Sequence, residues 1–378
     1  MDLIGWVIFL VALLFSVMLH ETGHFVMAKR FGMKVTRYFV GFGPTLWSTR
    51  RGETEYGIKA LPIGGFVKII GMHSLDDVED PADEPRSFRQ QSFPKRVIVL
   101  VAGSFTHFLI AFVLLFLVWA AVGVPKSTLS VGGIYRLQGE SPAAKAGFKV
   151  GDRILAVDGR VVHSFDRLPD YIGGRVGKPV EFTVERGNEL LRLTVVPADG
   201  DKYGRPGGFI GIEAKTLTVR ASPVVSAGRA GRDLASYTTG TFGALGTLFS
   251  PGHLESYANQ LGGHGAVSGK AADRPISVVG FVRVAGQAAQ HGTADLLELL
   301  ALINIFIGIF NMLPLLPFDG GHVAIAVYER IRSRRGRRYQ ADVAKLLPLT
   351  AAVVMVLVVF GSAIIYLDIV RPIANPFR

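Results

Sequence analysis

The sequence describes a polytopic α-helical membrane protein with four transmembrane helices, a β-hairpin loop and one small extracytoplasmic α+β domain. Three observations lead there. The 378 residues are 49% hydrophobic and only 19% charged, with a mean hydropathy of +0.36, whereas soluble domains carry about 25% charged residues. The apolar residues gather in four long blocks with polar segments between them. The two shorter polar segments are rich in basic residues. A purely soluble enzyme, a disordered chain and a fibrous repeat are excluded. Cysteine is absent, which removes disulfides, thiolate metal sites and a cysteine nucleophile.

The blocks cover residues 3–27, 97–124, 296–316 and 346–369. Each is long enough to cross a hydrocarbon core, which takes roughly 20 helical residues. The first is read as a retained helix, because Asp2 stands where a signal peptide would carry its basic residues. Twelve Lys and Arg lie between the first two blocks, from Lys29 to Arg96, and seven between the last two, from Arg330 to Lys345. By the positive-inside rule both loops are cytoplasmic, and both termini and residues 125–295 lie outside. The net charge of +11 is then mostly a membrane-sidedness signal, and no nucleic-acid partner is expected.

Residues 53–71 alternate short apolar runs around Pro62-Ile63-Gly64-Gly65, the pattern of a hairpin. The acidic stretch from Asp76 to Glu84 reads as a solvated cytoplasmic linker. In the outer segment, Ser141-Pro142 opens and Gly147 closes a short helix. A turn, a strand and a second turn follow over 150–159, and two strands flank Arg186-Gly187-Asn188. Residues 198–295 are rich in Gly, Ala and Ser, and amphipathic or loop elements partly packed against the membrane are expected there. The organisation is thus 1–124, 128–197, 198–295 and 296–378.

Ionisable side chains inside a spanning helix are a functional hypothesis by default. The first block ends in Met18-Leu19-His20-Glu21-Thr22-Gly23-His24. His20 and His24 fall one turn apart on one helix face, where both can bind one metal ion. Glu21 is adjacent and placed to take a proton from an activated water. Catalytic zinc normally takes three protein ligands. The third block ends in Asn311-Met312-Leu313-Pro314-Leu315-Leu316-Pro317-Phe318-Asp319-Gly320-Gly321-His322, and the topology puts Asp319 at the depth of His24. His322 is a rival ligand, with a structural place at a helix start as its other reading. Pro314 and Pro317 interrupt the helix, which a protein-lined or wet cavity tolerates. Asn311 offers an amide for a substrate backbone or a developing oxyanion, or a helix-to-helix hydrogen bond.

These motifs, together with residues 38–44, 63–66 and the 80–88 region, make the chain resemble the site-2 protease family of intramembrane zinc metalloproteases. The similarity is to its bacterial regulator-of-sigma-E-protease-like branch, with the actinobacterial members looking nearest over residues 37–56. The resemblance implies one zinc ion held by His20, His24 and Asp319, with Glu21 as general base. It also makes the hairpin a membrane-associated β-loop, whose free edge near Gly64 and Gly65 could pair with an unwound substrate. Residues 128–197 look like one PDZ domain. Two departures stand out. Where relatives carry Ala-Gly-Pro-x-x-Asn, this chain has Ala102-Gly103-Ser104-Phe105-Thr106-His107, so His107 replaces an amide near the site. The second proline of the Asn311–Asp319 motif also falls one residue late, with the Asn-to-Asp spacing kept.

The functional expectation is therefore a multi-pass zinc endopeptidase of the inner (plasma) membrane, in contact with the lipid bilayer, that cleaves transmembrane segments. By resemblance its substrates are single-span proteins such as anti-sigma factors after a first extracytoplasmic cut, and remnant signal peptides. The short tether at residues 125–128 is expected to make the PDZ-like domain a size filter, against the alternative of a peptide-capturing module. A noncatalytic PDZ-containing adaptor is the reading from another class, opposed by the retained Glu21 and the full ligand set. A metal transporter would need further ionisable residues in the spans, and few are present.

Overall fold

A long apolar block has one simple solution in lipid, a helix that satisfies its own backbone. In the computed structural model, which describes residues 3–72, 80–135, 141–203, 207–248, 250–261, 276–333 and 339–370, each block takes it. Among the described residues, four helical stretches are long and apolar enough to span: Val7–Arg30, Phe93–Val122, Thr293–Asn311 and Val343–Val370. The third stops at Asn311, short of the expected residue 316, because Pro314 turns its predecessor out of the helical region. The chain divides into two compact units, one of Met1–Val122 with Ser222–Arg378 and one of Gly123–Ala221.

The first unit opens with α1 (Leu3–Arg30), followed by the antiparallel strands β1 (Val35–Arg51) and β2 (Thr54–Ile69). The hairpin differs from the expected one. Its turn is at Gly52-Glu53, with Gly52 at φ +63°, and Pro62 to Gly65 lie inside β2. Both strands fold on themselves, β1 at Gly41 and Gly43 (φ +85° each) and β2 at Gly64 (φ +99°). Tyr38 thus pairs with Val67 on one side and Tyr56 on the other, while Thr49 also pairs with Tyr56. The turn comes earlier than expected because the partner strand lies upstream of residue 53, ahead of the alternating runs.

The acidic segment also departs from a free linker. Residues 73–79 lie outside the described residues, but Asp83 pairs with Lys34 and Arg86, and Glu84 is gripped by Arg89 at 2.8 and 2.6 Å. The Arg89 guanidinium, aided by the Gln90 amide, holds the Glu84 carboxyl down to about 2. Glu53, in the hairpin turn, bridges Lys29 of α1 (2.6 Å) and Arg86 (2.8 Å). Next comes α2 (Phe93–Leu117), opened by Pro94 and continued by a π-helical turn over Val118–Val122.

The second unit holds β3 (Val124–Ile134), α3 (Pro142–Lys145), β4 (Arg153–Val157), β5 (Arg160–Val161), α4 (Leu168–Ile172), β6 (Val180–Arg186), β7 (Glu189–Val195), β8 (Ala198–Asp199), β9 (Gly208–Phe209) and β10 (Ile212–Val219). The main sheet runs β10-β3-β4-β6-β7. Alternating residues such as Ile154, Phe182 and Val184 are fully buried in its core. Ser141 caps α3 through Ala144 N–H, and β6 and β7 join through the turn at Gly187-Asn188. The unit extends past residue 197, because β10 pairs along β3 and so belongs to the sheet.

Asp152 staples the loop before β4. It is buried, accepts from Arg186 Nε and Nη2 at 2.7 and 2.8 Å and from Lys149 N–H at 2.8 Å, while Arg186 also donates to Gly147 O at 2.7 Å. Burial alone would raise the Asp152 carboxyl, but the guanidinium overcomes it and holds it below the usual carboxylate range. A depressed folded-state pKa gives stability that is present above the unfolded value, about 3.9, and is lost as pH falls through the folded one. Arg186→Met is therefore expected to cost about 1.5–3 kcal/mol near pH 7. Hydrogen exchange of β4 and β6 amides in the full chain reads this out. The difference from the unaltered protein should shrink once pH drops below the carboxylate range.

The first unit resumes with α5 (Pro223–Leu248), α6 (Pro251–Leu261), α7 (Val278–His291), α8 (Thr293–Asn311), α9 (Asp319–Arg332) and α10 (Leu347–Val370). Helix α5 packs on α2 and α8, fastened where Trp119 donates to Asp233 at 2.7 Å. Phe9 of α1 is buried against Ala285 and Ala288 of α7 and Leu300 of α8. Helix α10 meets α7 through buried Asp368, which accepts from Ser277 N–H at 2.7 Å.

Candidate metal centre

Two glycines let α1 and α2 touch. A Cβ at Gly23 would lie 2.6 Å from Ala102 O, and one at Gly103 would lie 2.6 Å from His20 Cε1 and closer still to His24 Nε2. Glycine at 103 therefore keeps open the space that both imidazoles face. The third contribution comes from the start of α9. The chain from Met312 to Phe318 folds back over that helix so closely that a Cβ at Gly321 would sit 2.6 Å from Leu315 carbonyl carbon. This fold-back sets Asp319 in the first turn of α9, where a carboxylate is favoured by the helix dipole.

Asp319 Oδ2 lies 3.3 Å from His20 Nε2 and 3.4 Å from His24 Nε2, and the two Nε2 atoms are 3.1 Å apart. The histidines are 6% and 5% exposed, so bulk water does not satisfy them. His24 Nδ1 donates to Val99 O at 2.8 Å, which fixes its tautomer and turns the Nε2 lone pair inward. Asp319 Oδ2 is buried with no hydrogen-bond partner. Three electron-pair donors converging on one buried point suit a cation. Two imidazoles and one carboxylate are a donor set of the kind catalytic zinc takes. Among the described residues these three form the one such group.

Glu21 is half-buried and outside that trio. Its carboxyl lies beside the Val67 backbone in β2. The sheet is anchored beside it: Tyr38 Oη is 2.8 Å from Thr22 Oγ1 and donates to Met18 O at 3.2 Å. Gly65 packs where a Cβ would be 2.6 Å from Met18 Sδ, and Gly64 lies near Val17. Both glycines therefore border α1 just ahead of the histidines. Asn311 is the half-buried last residue of α8, and no described contact ties it to the three ligating groups. His322 falls one turn into α9 and is not part of the trio.

His107 is 1% exposed, its ring centroid 5.0 Å from that of His20. It donates from Nδ1 to Asn304 Oδ1 at 2.9 Å, and Asn304 Nδ2 donates to Leu300 O at 2.8 Å. Asn304 was not anticipated. The available signal was an amide inside an apolar span, which in lipid seeks a partner on another helix.

Residues 8–358 match peptidase family M50. The chain is 38% identical to the zinc metalloprotease Rip1 of Mycobacterium tuberculosis and 34% identical to Rip1 of Mycolicibacterium smegmatis, covering 98% of both chains in each case. It is 30% identical to a putative zinc metalloprotease of Agrobacterium fabrum over 88% of each chain. A PDZ domain of an SdrC-like protein from Listeria innocua is 26% identical over 23% of this chain and 92% of that one, at a TM-score of 0.20.

Proposed function

Because the chain belongs to peptidase family M50, the site-2 proteases, and is thus a multi-pass membrane zinc metalloprotease, we propose that it cuts peptide bonds within the membrane with His20, His24 and Asp319 as zinc ligands and Glu21 as general base. The observation that carries this reading is the convergence of His20 Nε2, His24 Nε2 and Asp319 Oδ2 on one buried point beside the Glu21 carboxyl. A zinc ion held by these three residues would supply Lewis acidity to a water and to the scissile carbonyl. Glu21 takes the water's proton and hands it to the leaving amide nitrogen. His24 is held for its task by Val99 O, and the fold-back before α9 holds Asp319 in place.

A helical substrate hides its carbonyls in internal hydrogen bonds and must unwind to be cut. The edge of β2 near Gly64 and Gly65 offers backbone groups to an extended segment, in the manner of strand addition, and Asn311 offers an amide to its backbone. Exposed Phe42, Leu46, Trp47 and Leu61 on the hairpin suit a loop lying in lipid. The substrates on this reading are single-span proteins of the anti-sigma-factor kind, already trimmed outside the membrane, with the Gly123–Ala221 unit acting as a PDZ-like size filter.

The orientation is testable in this Cys-free chain. An impermeant maleimide should label Arg167→Cys in intact cells, and Arg334→Cys only after lysis. The reverse pattern overturns the assignment of the basic loops to the cytoplasm.

A further inference from the structure

We propose that His107 and Asn304 form a relay that orients His20 toward the metal, making His107 a positioning residue of this zinc site. The inference rests on the metal reading given above and concerns what holds each imidazole. His24 is oriented by its outer nitrogen, which donates to Val99 O. His20 has no such hold: its Nδ1 is buried without a hydrogen-bond partner. Metal-binding histidines almost always use that second nitrogen to fix the ring, so the orientation of His20 has to come from another contact.

Apart from the other imidazole of the pair, His24, whose ring meets that of His20 edge-on at 4.7 Å, the ring that faces it is His107, 5.0 Å away and tilted 40°. A wall is useful only if it cannot swing, and His107 is fixed at both ends of its own linkage. Asn304 Nδ2 donates to Leu300 O, which leaves Oδ1 as acceptor and makes His107 Nδ1 the donor at 2.9 Å. Both side chains are 1% exposed. Behind them Gly308 lets α8 close on α2, since a Cβ there would be 3.2 Å from His107 Cβ. Helix α8 is thereby tied to a ligand of α1 through one side chain of α2.

The test uses the full chain in lipid nanodiscs and reads metal binding rather than proteolysis. His107→Phe keeps a ring of similar volume and loses the hydrogen bond; Asn304→Leu keeps His107 and removes its anchor. Zinc affinity is measured by chelator competition, and cobalt substituted for zinc reports the ligand field through its d–d bands. Each variant should bind zinc roughly 10–100-fold more weakly, the range for lost outer partners of metal ligands, and shift the cobalt bands. The double variant should be no weaker than the worse single one, because both changes break one linkage. A packing role instead leaves zinc affinity and the cobalt spectrum of His107→Phe unchanged, and that result overturns the proposal. If His107→Phe fails to fold, Asn304→Leu with unaltered affinity and spectrum overturns it equally. Absence of zinc from the unaltered chain would strike the metal reading itself, which separates the two failures.

Discussion

Glu21→Gln should lose proteolysis by about 10²–10⁴-fold while the protein still carries zinc. The amide keeps the shape of the side chain, but it cannot take a proton at neutral pH. Because Glu21 lies outside the group formed by His20, His24 and Asp319, the metal should stay. Cleavage of a reconstituted single-span substrate, with zinc per chain measured on the same preparation, checks both halves. Turnover near that of the unaltered protein would remove Glu21 from the role of base, and loss of zinc would make it a ligand.

His24→Ala and Asp319→Ala should each lose zinc and activity together. Either change leaves two protein ligands where catalytic zinc normally has three. The fall in affinity should exceed the roughly 10–100-fold typical of outer-shell partners. The two variants also probe different joints of the fold. His24 is set by Val99 O on α2, and Asp319 by the fold-back of residues 312–318 onto α9. Chelator competition and metal analysis check the outcome, and a zinc-replete Asp319→Ala protein would take the carboxylate out of the ligand set.

The parts legible in the sequence were those governed by local periodicity. Four apolar blocks announce helices whatever they pack against, and the spacing of His20 and His24 puts both on one face because the block around them is helical. Asp319 is a candidate from the expected membrane depth and a ligand only by resemblance to the family, and the structure brings its Oδ2 to 3.3 Å from His20 Nε2. The relation of His107 to Asn304 was not legible. It depends on which face of α8 meets α2, and nothing in the spacing of either helix records that. Pro62 to Gly65 carry turn residues that serve a bend inside β2, while the turn itself, at Gly52-Glu53, joins β2 to a strand beginning at Val35. Strand β10 was missed because its partner, β3, lies at the far end of the second unit's sequence and a Gly-rich stretch precedes it.

One preparation can decide the main question: the purified chain in lipid, analysed for bound metal and incubated with a single-span substrate whose products are mapped by mass spectrometry. The expected result is one zinc per chain and a cut inside the substrate's membrane segment, both abolished by a zinc chelator and restored by added zinc. A chain that holds no stoichiometric zinc, or that cuts the substrate equally well after chelation, would contradict a zinc centre built from His20, His24 and Asp319.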